Sequence, residues 1–333
     1  MSNKSNMYWA VYKNLEKEVL DLSYYVLFSD KHISKSEHHC QLNTYSFRTA
    51  DLLVKCVIEI ESISKELYEQ QGGNMNPQNE DCSKRDLYFD TDCLALLNQK
   101  WVLDKKVIIV SATNFYFEQD ENIFLTPLLK ADERDKCDWK KAYQAVKHNR
   151  VKDLDRANIK NLIRAMAALF ILNIYYKDEV ISLERVYMST KKFDNRMDSD
   201  IFSVKCASAT GLEMGNTMSD SNIVSLNGDN LLESIYIVKY TDSSFKEMHD
   251  SYCHDNEITL QNFYNSQQIR NYLEKHSDSQ NKSINEICME IGGIDFLKQI
   301  VSFSHMGKNN NTESQAILNK NQSIYPSLVY DVK

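Results

Sequence analysis

Glycine and proline are scarce in this chain, with 8 and 3 residues among 333, where average usage would give roughly 23 and 17. So few turn-formers argue against a many-stranded sandwich or barrel and favour long helices. Scarce glycine also leaves little material for phosphate-cradling loops. Neither GxxxxGK[ST] nor GxGxxG occurs, which argues against P-loop and Rossmann nucleotide chemistry. The cysteines (Cys40, Cys56, Cys82, Cys93, Cys137, Cys206, Cys253 and Cys288) include no CxxC pair. Scattered in this way they read as free, mostly buried thiols. His249, Cys253 and His254 make the one metal-like group, and their spacing fits no standard zinc pattern. We expect neither a metal nor another cofactor. Long apolar runs are missing too. The longest near the centre, Ala165 to Tyr176, is interrupted by Asn173 and is too short to span a bilayer. The opening "MSNKSNMYWAVYKNLEKEVL" lacks the apolar stretch of a signal peptide. A cytoplasmic protein with no membrane partner is the expectation.

What is present is ordinary in amount: 42% apolar and 26% charged residues, with a net charge of −8. A net-acidic chain does not attract nucleic acid globally, so any such binding needs a local patch. Apolar periodicity predicts a first helix from Met7 to about Ser29 and a second from about Tyr45 to Gln70. Asn43 or Thr44 can cap the second, and Gly72-Gly73 ends it. Joined by a polar connection that holds His32, His38 and His39, they make an antiparallel hairpin. A short helix over 90–98, a strand or extended segment over 105–117 and a short helix over 138–147 follow. A strongly apolar helix runs from Arg156 to about Lys177, with Asp155 as its N-cap. Beyond 180 the texture turns polar and aperiodic. Extended pieces are expected at 200–205 and 233–240, and helices near 260–275 and 284–302. The tail from Met306 to Gln322 reads as mobile. This divides the chain into a helical domain over 1–180 and a C-terminal region over 181–333.

Charge concentrates at one junction. From Lys140 to Arg164 the chain carries eight cations (Lys140, Lys141, Lys147, Arg150, Lys152, Arg156, Lys160, Arg164) against Asp153 and Asp155, a local balance of +6. Within it stands Lys147-His148-Asn149-Arg150. Cations beside an imidazole favour its neutral form, which can accept a proton. A flanking guanidinium can stabilise charge on a phosphoryl oxygen. Base, cation and polar orienter suffice for metal-independent RNA cleavage, where the substrate 2′-OH is the nucleophile. The plainer reading is a solvated helix face, or a complement to Glu16, Glu18 and Asp21 of the first helix and Glu59, Glu61 and Glu66 of the second.

Other residues invite two readings each. Trp139 and Tyr143 can stack on bases or anchor a helix to the core. Arg48 and Asp51 are most simply a local ion pair. Asn173 is a buried specificity device at a dimer seam or the edge of an apolar stripe. Asn114, Tyr116 and Glu118 line a cleft near the junction or are ordinary loop residues. His249 and His254, in "KEMHDSYCHDNE", suit a solvated loop.

The string "W-x3-Y-x2-VKHNR…AN-x3-LIRAMAALFIL", preceded by two long antiparallel helices, resembles the HEPN superfamily over residues 7–177. It also resembles a group of bacterial HEPN-like proteins of the abortive-infection or toxin type. The resemblance implies a mainly α, antiparallel helical bundle, here with a mixed α/β, partly irregular C-terminal extension. It implies an RNA-targeting protein, most concretely a metal-independent endoribonuclease of anti-phage defence or a toxin system that acts as a homodimer. RNA or a nucleotide would be its ligand, and an antitoxin or a phage-derived trigger a partner. The alternatives are a non-catalytic RNA- or nucleotide-binding or scaffolding module, and a structural protein–protein interaction module. Residue by residue, His148 stands for the motif histidine and Asn149 for its polar residue. Arg150 stands for its arginine, with the order reversed. In that reading His148, Arg150 and Asn149 are catalytic, while Lys147, Lys141, Lys152 and Arg156 bind the phosphate backbone.

Overall fold

The apolar stripes form helices, with ends set by capping and by the pull of the core. The computed structural model is mainly helical and describes residues 3–31, 40–183, 185–186, 189–190, 193–209, 228–276, 282–303 and 313–321. The loop histidines 32, 38 and 39 lie outside them. Helix α1 (Asn3–Ser23) ends earlier than its apolar pattern, because Phe28 leaves the helical path to pack on Phe115 at 4.8 Å. Helix α2 (Phe47–Gln70) starts at Ser46, not Asn43 or Thr44. Ser46 Oγ accepts from Thr49 N (3.1 Å) while Thr49 Oγ1 accepts from Ser46 N (2.7 Å), a closed capping box. Gly72, with φ +80°, completes the turn after α2. The two helices run antiparallel: Tyr8 meets Ser62 (2.9 Å) at one end and Arg48 meets Glu18 (2.6 Å) at the other. Arg48 therefore pairs across the hairpin and not with Asp51.

A π-helical turn, Phe89–Leu94, leads into α3 (Ala95–Trp101). Strand β1 (Ile108–Val110) is all that forms of the extended segment expected over 105–117. It lies between β2 (Phe124–Leu125), which follows α4 (Asp120–Ile123), and β6 (Phe202–Val204), both antiparallel to it. Helix α5 (Asp138–Asn149) is anchored by Trp139, whose Nε1 donates to Pro127 O (2.8 Å). Helix α6 (Ile159–Lys177) is buried nearly all round, as its unbroken apolar run dictates. Its N-cap is Asn158, whose Oδ1 accepts from Asn161 N (3.0 Å); Asp155 sits in a preceding 3-10 turn, Leu154–Arg156. Buried Asn173 donates its amide to Leu169 O (2.9 Å), so it is neither a seam nor a stripe edge.

Past α6 come β3 (Ile181–Leu183), a small ladder of β4 (Arg185–Val186) and β5 (Ser189–Thr190), then β6, β7 (Cys206–Ala209), α7 (Gly228–Glu233) and β8 (Tyr236–Tyr240). Helices α8 (Asp242–Asn265), α9 (Gln267–Lys275) and α10 (Ile284–Ile300) form their own small apolar cluster, and β9 (Ser314–Leu318) follows. The segment expected as a loop around His249 is therefore helical, and His249 is buried in α8. Part of the tail expected to be mobile is β9; residues 304–312 and 322 lie outside the described set. The larger sheet runs β3-β9-β8-β7, antiparallel except for the parallel β7–β8 pair.

One core joins both sides of residue 180. Phe202 packs on Phe170 at 5.6 Å, and Tyr175 OH donates to Asn319 O (2.7 Å). Buried Glu16 on α1 holds the chain that leads into β6. Its carboxylate accepts from Tyr12 OH (2.9 Å), Asp200 N (3.0 Å), Ile201 N (3.2 Å), Lys13 Nζ (2.6 Å) and the Ser199 hydroxyl.

Candidate functional site

Three helix ends converge at one end of the bundle. The N-terminus of α2 meets the N-terminus of α6: Ile159 N donates to Thr44 O (3.1 Å), and Tyr45 and Asn158 form an isolated β-bridge. The C-terminus of α5 meets α2 through Arg150 Nη1 and Asp51 Oδ1 at 2.7 Å. The turn between α5 and α6 is held by Lys152 N and Asp153 N, which both donate to Asn149 O (3.2 and 3.0 Å).

The cationic run divides by role along this path. Lys140 is internal: its Nζ donates to Asp90 (2.8 Å), Ala131 O (2.6 Å) and Glu133 O (3.0 Å). It is a structural ion and no part of a ligand surface. Lys141 and Arg164 both approach Asp138, at 3.8 and 3.9 Å, nearly three helical turns from His148. Arg156 pairs with Asp153 (3.3 Å). Lys147 lies 5.2 Å from the centre of the Tyr143 ring. Burial, then the neighbouring Glu61 carboxylate, raise the Tyr143 hydroxyl above its ordinary pKa, and Lys147 pulls against them. Lys152 and Lys160 have no carboxylate partner among the described residues.

Of the residues singled out in the sequence, Lys147, His148, Asn149, Arg150 and Lys152 come together on one exposed turn, and Arg156 follows on the next. Lys141 does not join them. The His148 imidazole is exposed and makes no hydrogen bond or ion pair with a described residue. Asn149 Oδ1 faces its own turn, accepting from Lys152 N at 3.4 Å. The half-exposed Arg150–Asp51 pair is a surface pair, worth roughly 0–1 kcal/mol, so a phosphate can displace the carboxylate.

The surface here is open. A slot lined by Leu42, Phe117, Asn122, Leu125, Lys160, Ile163 and Arg164 holds about 10 Å³, room for roughly one water. Asn114, Tyr116 and Glu118 are elsewhere, where Asp30 accepts from Glu118 N (2.9 Å) and Gln119 N (2.8 Å) at the loop after α1. Among the described residues no three His, Cys, Asp or Glu side chains are grouped to hold a metal. No described helix is long and apolar enough to cross a membrane.

Comparisons with protein-family models, with curated proteins and with solved structures give no match to this chain.

Sequence reasoning placed the cationic turn and left out three neighbours. Lys160 sits in the run, on the first turn of α6, and was not selected. Tyr45 and Phe47, both exposed, flank the α2 cap at the same end. The available signal was the pair of aromatics on either side of Ser46 in "QLNTYSFRT".

Proposed function

We propose that this protein is an RNA-binding module of HEPN-like build, and that its binding face is the meeting point of the α2, α5 and α6 ends. The observation that carries this reading is the set of cations gathered there in a chain of net charge −8. Lys147, Lys152 and Lys160 have no carboxylate partner among the described residues. Arg150 and Arg156 are held only by surface carboxylates. A phosphate backbone crossing the face exchanges Asp51 and Asp153 for its own oxygens and keeps every cation paired.

A second reading, the metal-independent endoribonuclease, is favoured by the free, exposed imidazole of His148. In it the imidazole takes the proton of an RNA 2′-OH, the 2′ oxygen attacks the phosphorus, and the bond to the 5′ oxygen breaks. The products are a cyclic phosphate and a 5′-hydroxyl that receives a proton. Base and acid act on opposite sides of the phosphorus. A single imidazole on an open face supplies one of them, so this reading calls for a homodimer that contributes a second His148.

The test is fluorescence anisotropy with a labelled RNA at 50 and 200 mM salt, run in EDTA with a gel assay for cleavage. RNA binding that falls steeply with salt supports the module. Lys152→Ala should reduce the salt slope by about 0.7 per lost phosphate contact. Asp51→Asn, which frees Arg150, should tighten binding a few-fold. Absence of binding at 50 mM salt overturns the proposal. Cleavage that His148→Ala abolishes selects the second reading.

A further inference from the structure

We infer that Tyr45 and Phe47 stack on RNA bases and make this face select unpaired strands over duplex; the inference rests on the RNA-binding reading above. The geometry begins with the α2 cap. Ser46 is extended (φ −160°, ψ 168°), and its hydroxyl turns inward to accept from Thr49 N. Tyr45 and Phe47, on either side of it, are both exposed, 51% and 65%. Neither ring is spent on the core, and the backbone beneath both is fixed. The capping box holds one side, and the bridge from Tyr45 to Asn158 holds the other.

That bridge decides the chemistry. Asn158 lies between Arg156 and Lys160 in the chain. Leu42, three residues before Tyr45, lines the same slot as Lys160. Two exposed aromatics on a fixed backbone thus stand against the segment that carries Arg156 and Lys160. An exposed aromatic alone means little. A pair set against a cationic track fits a polyanion with π-faces, and single-stranded nucleic acid is that ligand. In a duplex the bases are already stacked and paired, so the rings find nothing to meet. The cations would still contact both forms.

The experiment compares three labelled probes at one salt concentration: a 12-nucleotide single-stranded RNA, a 12-base-pair RNA duplex, and an abasic strand of equal charge. Wild type is expected to bind the single strand roughly ten-fold tighter than the other two. Tyr45→Ala with Phe47→Ala should remove that preference and leave duplex affinity and the salt slope unchanged. Tyr45→Phe with Phe47→Tyr should restore it, which separates stacking from a folding defect. Lys152→Ala with Lys160→Ala should weaken all three probes together. A double alanine variant that keeps the wild-type preference overturns the stacking role while the cationic face stands. Equal wild-type affinity for the single and abasic strands overturns it as well. A wild type that binds none of the probes overturns the RNA reading itself, and the stacking role with it.

Discussion

Lys106 is an almost fully buried cation just ahead of β1, and its Nζ donates to Leu232 O at 3.0 Å. Burial pushes its ammonium down to about 8, against the pull of Asp104. The unfolded chain keeps the proton up to roughly pH 10.4. Between those values the unfolded state binds more protons, so this residue's contribution to stability improves as pH rises, at up to about 1.4 kcal/mol per pH unit. Below pH 8 its cost is present in full. Lys106→Met should therefore gain on the wild type most at pH 7 and progressively less toward pH 10. Urea unfolding at both pH values checks this, and a gain that is constant or grows with pH contradicts it. Glu16 is the opposite case, a buried carboxylate whose donors are all supplied by α1 and the chain before β6. Glu16→Ala should cost on the order of 3 kcal/mol, read from the shift of the urea midpoint. The same variant should leave RNA affinity unchanged, since Glu16 is not part of the binding face.

At the scale of elements, helix starts are the sharpest test of the capping geometry. Asn158→Ala should destabilise the protein by about 1 kcal/mol, whereas Asp155→Ala, outside the cap, should change little. Thermal unfolding of the two variants distinguishes them. Asp155, the cap expected from the sequence, stands three positions ahead of the actual cap Asn158, and nothing local favours the later residue. The choice comes from Thr44, whose carbonyl takes Ile159 N and fixes where the helix begins. Helix bodies were legible because their buried stripes repeat over many turns. Strands β1, β6 and β8 fall inside the extended segments expected at 105–117, 200–205 and 233–240, but their limits were not legible, since β1 is bounded by partners at 124–125 and 202–204 and not by its own pattern. The first part of α8 was missed because its polar stretch around His249 shows no apolar stripe; only its end fell inside the helix expected near 260–275. In the site, the cluster from Lys147 to Arg150 was visible as spacing. The ties of Arg150 to Asp51 and of Lys140 to Asp90 were not, because they join residues 99 and 50 positions apart.

On the scale of the whole molecule, the helical bundle and the C-terminal strands are packed into one core. Phe202, Tyr236, Ala316 and Leu318 belong to the same apolar cluster as Phe170 and Tyr175. A chain ended at residue 180 loses these partners and exposes the aromatic face of α6. It should bind a hydrophobic dye and melt without a sharp transition, as measured by fluorescence and circular dichroism. A cooperative melt near that of the full chain would show that α1 to α6 suffice. The sheet order has a consequence for synthesis. Strand β9 lies between β3 and β8, although it is the last of the described strands in the chain. Until residue 318 has left the ribosome, β3 and β8 each carry an open edge, ready to pair with another chain. The bundle can gather around α6 during translation, but its sheet must wait for β9. The nascent protein is most exposed to aggregation in that interval, and shortening the chain ahead of β9 would make the interval permanent.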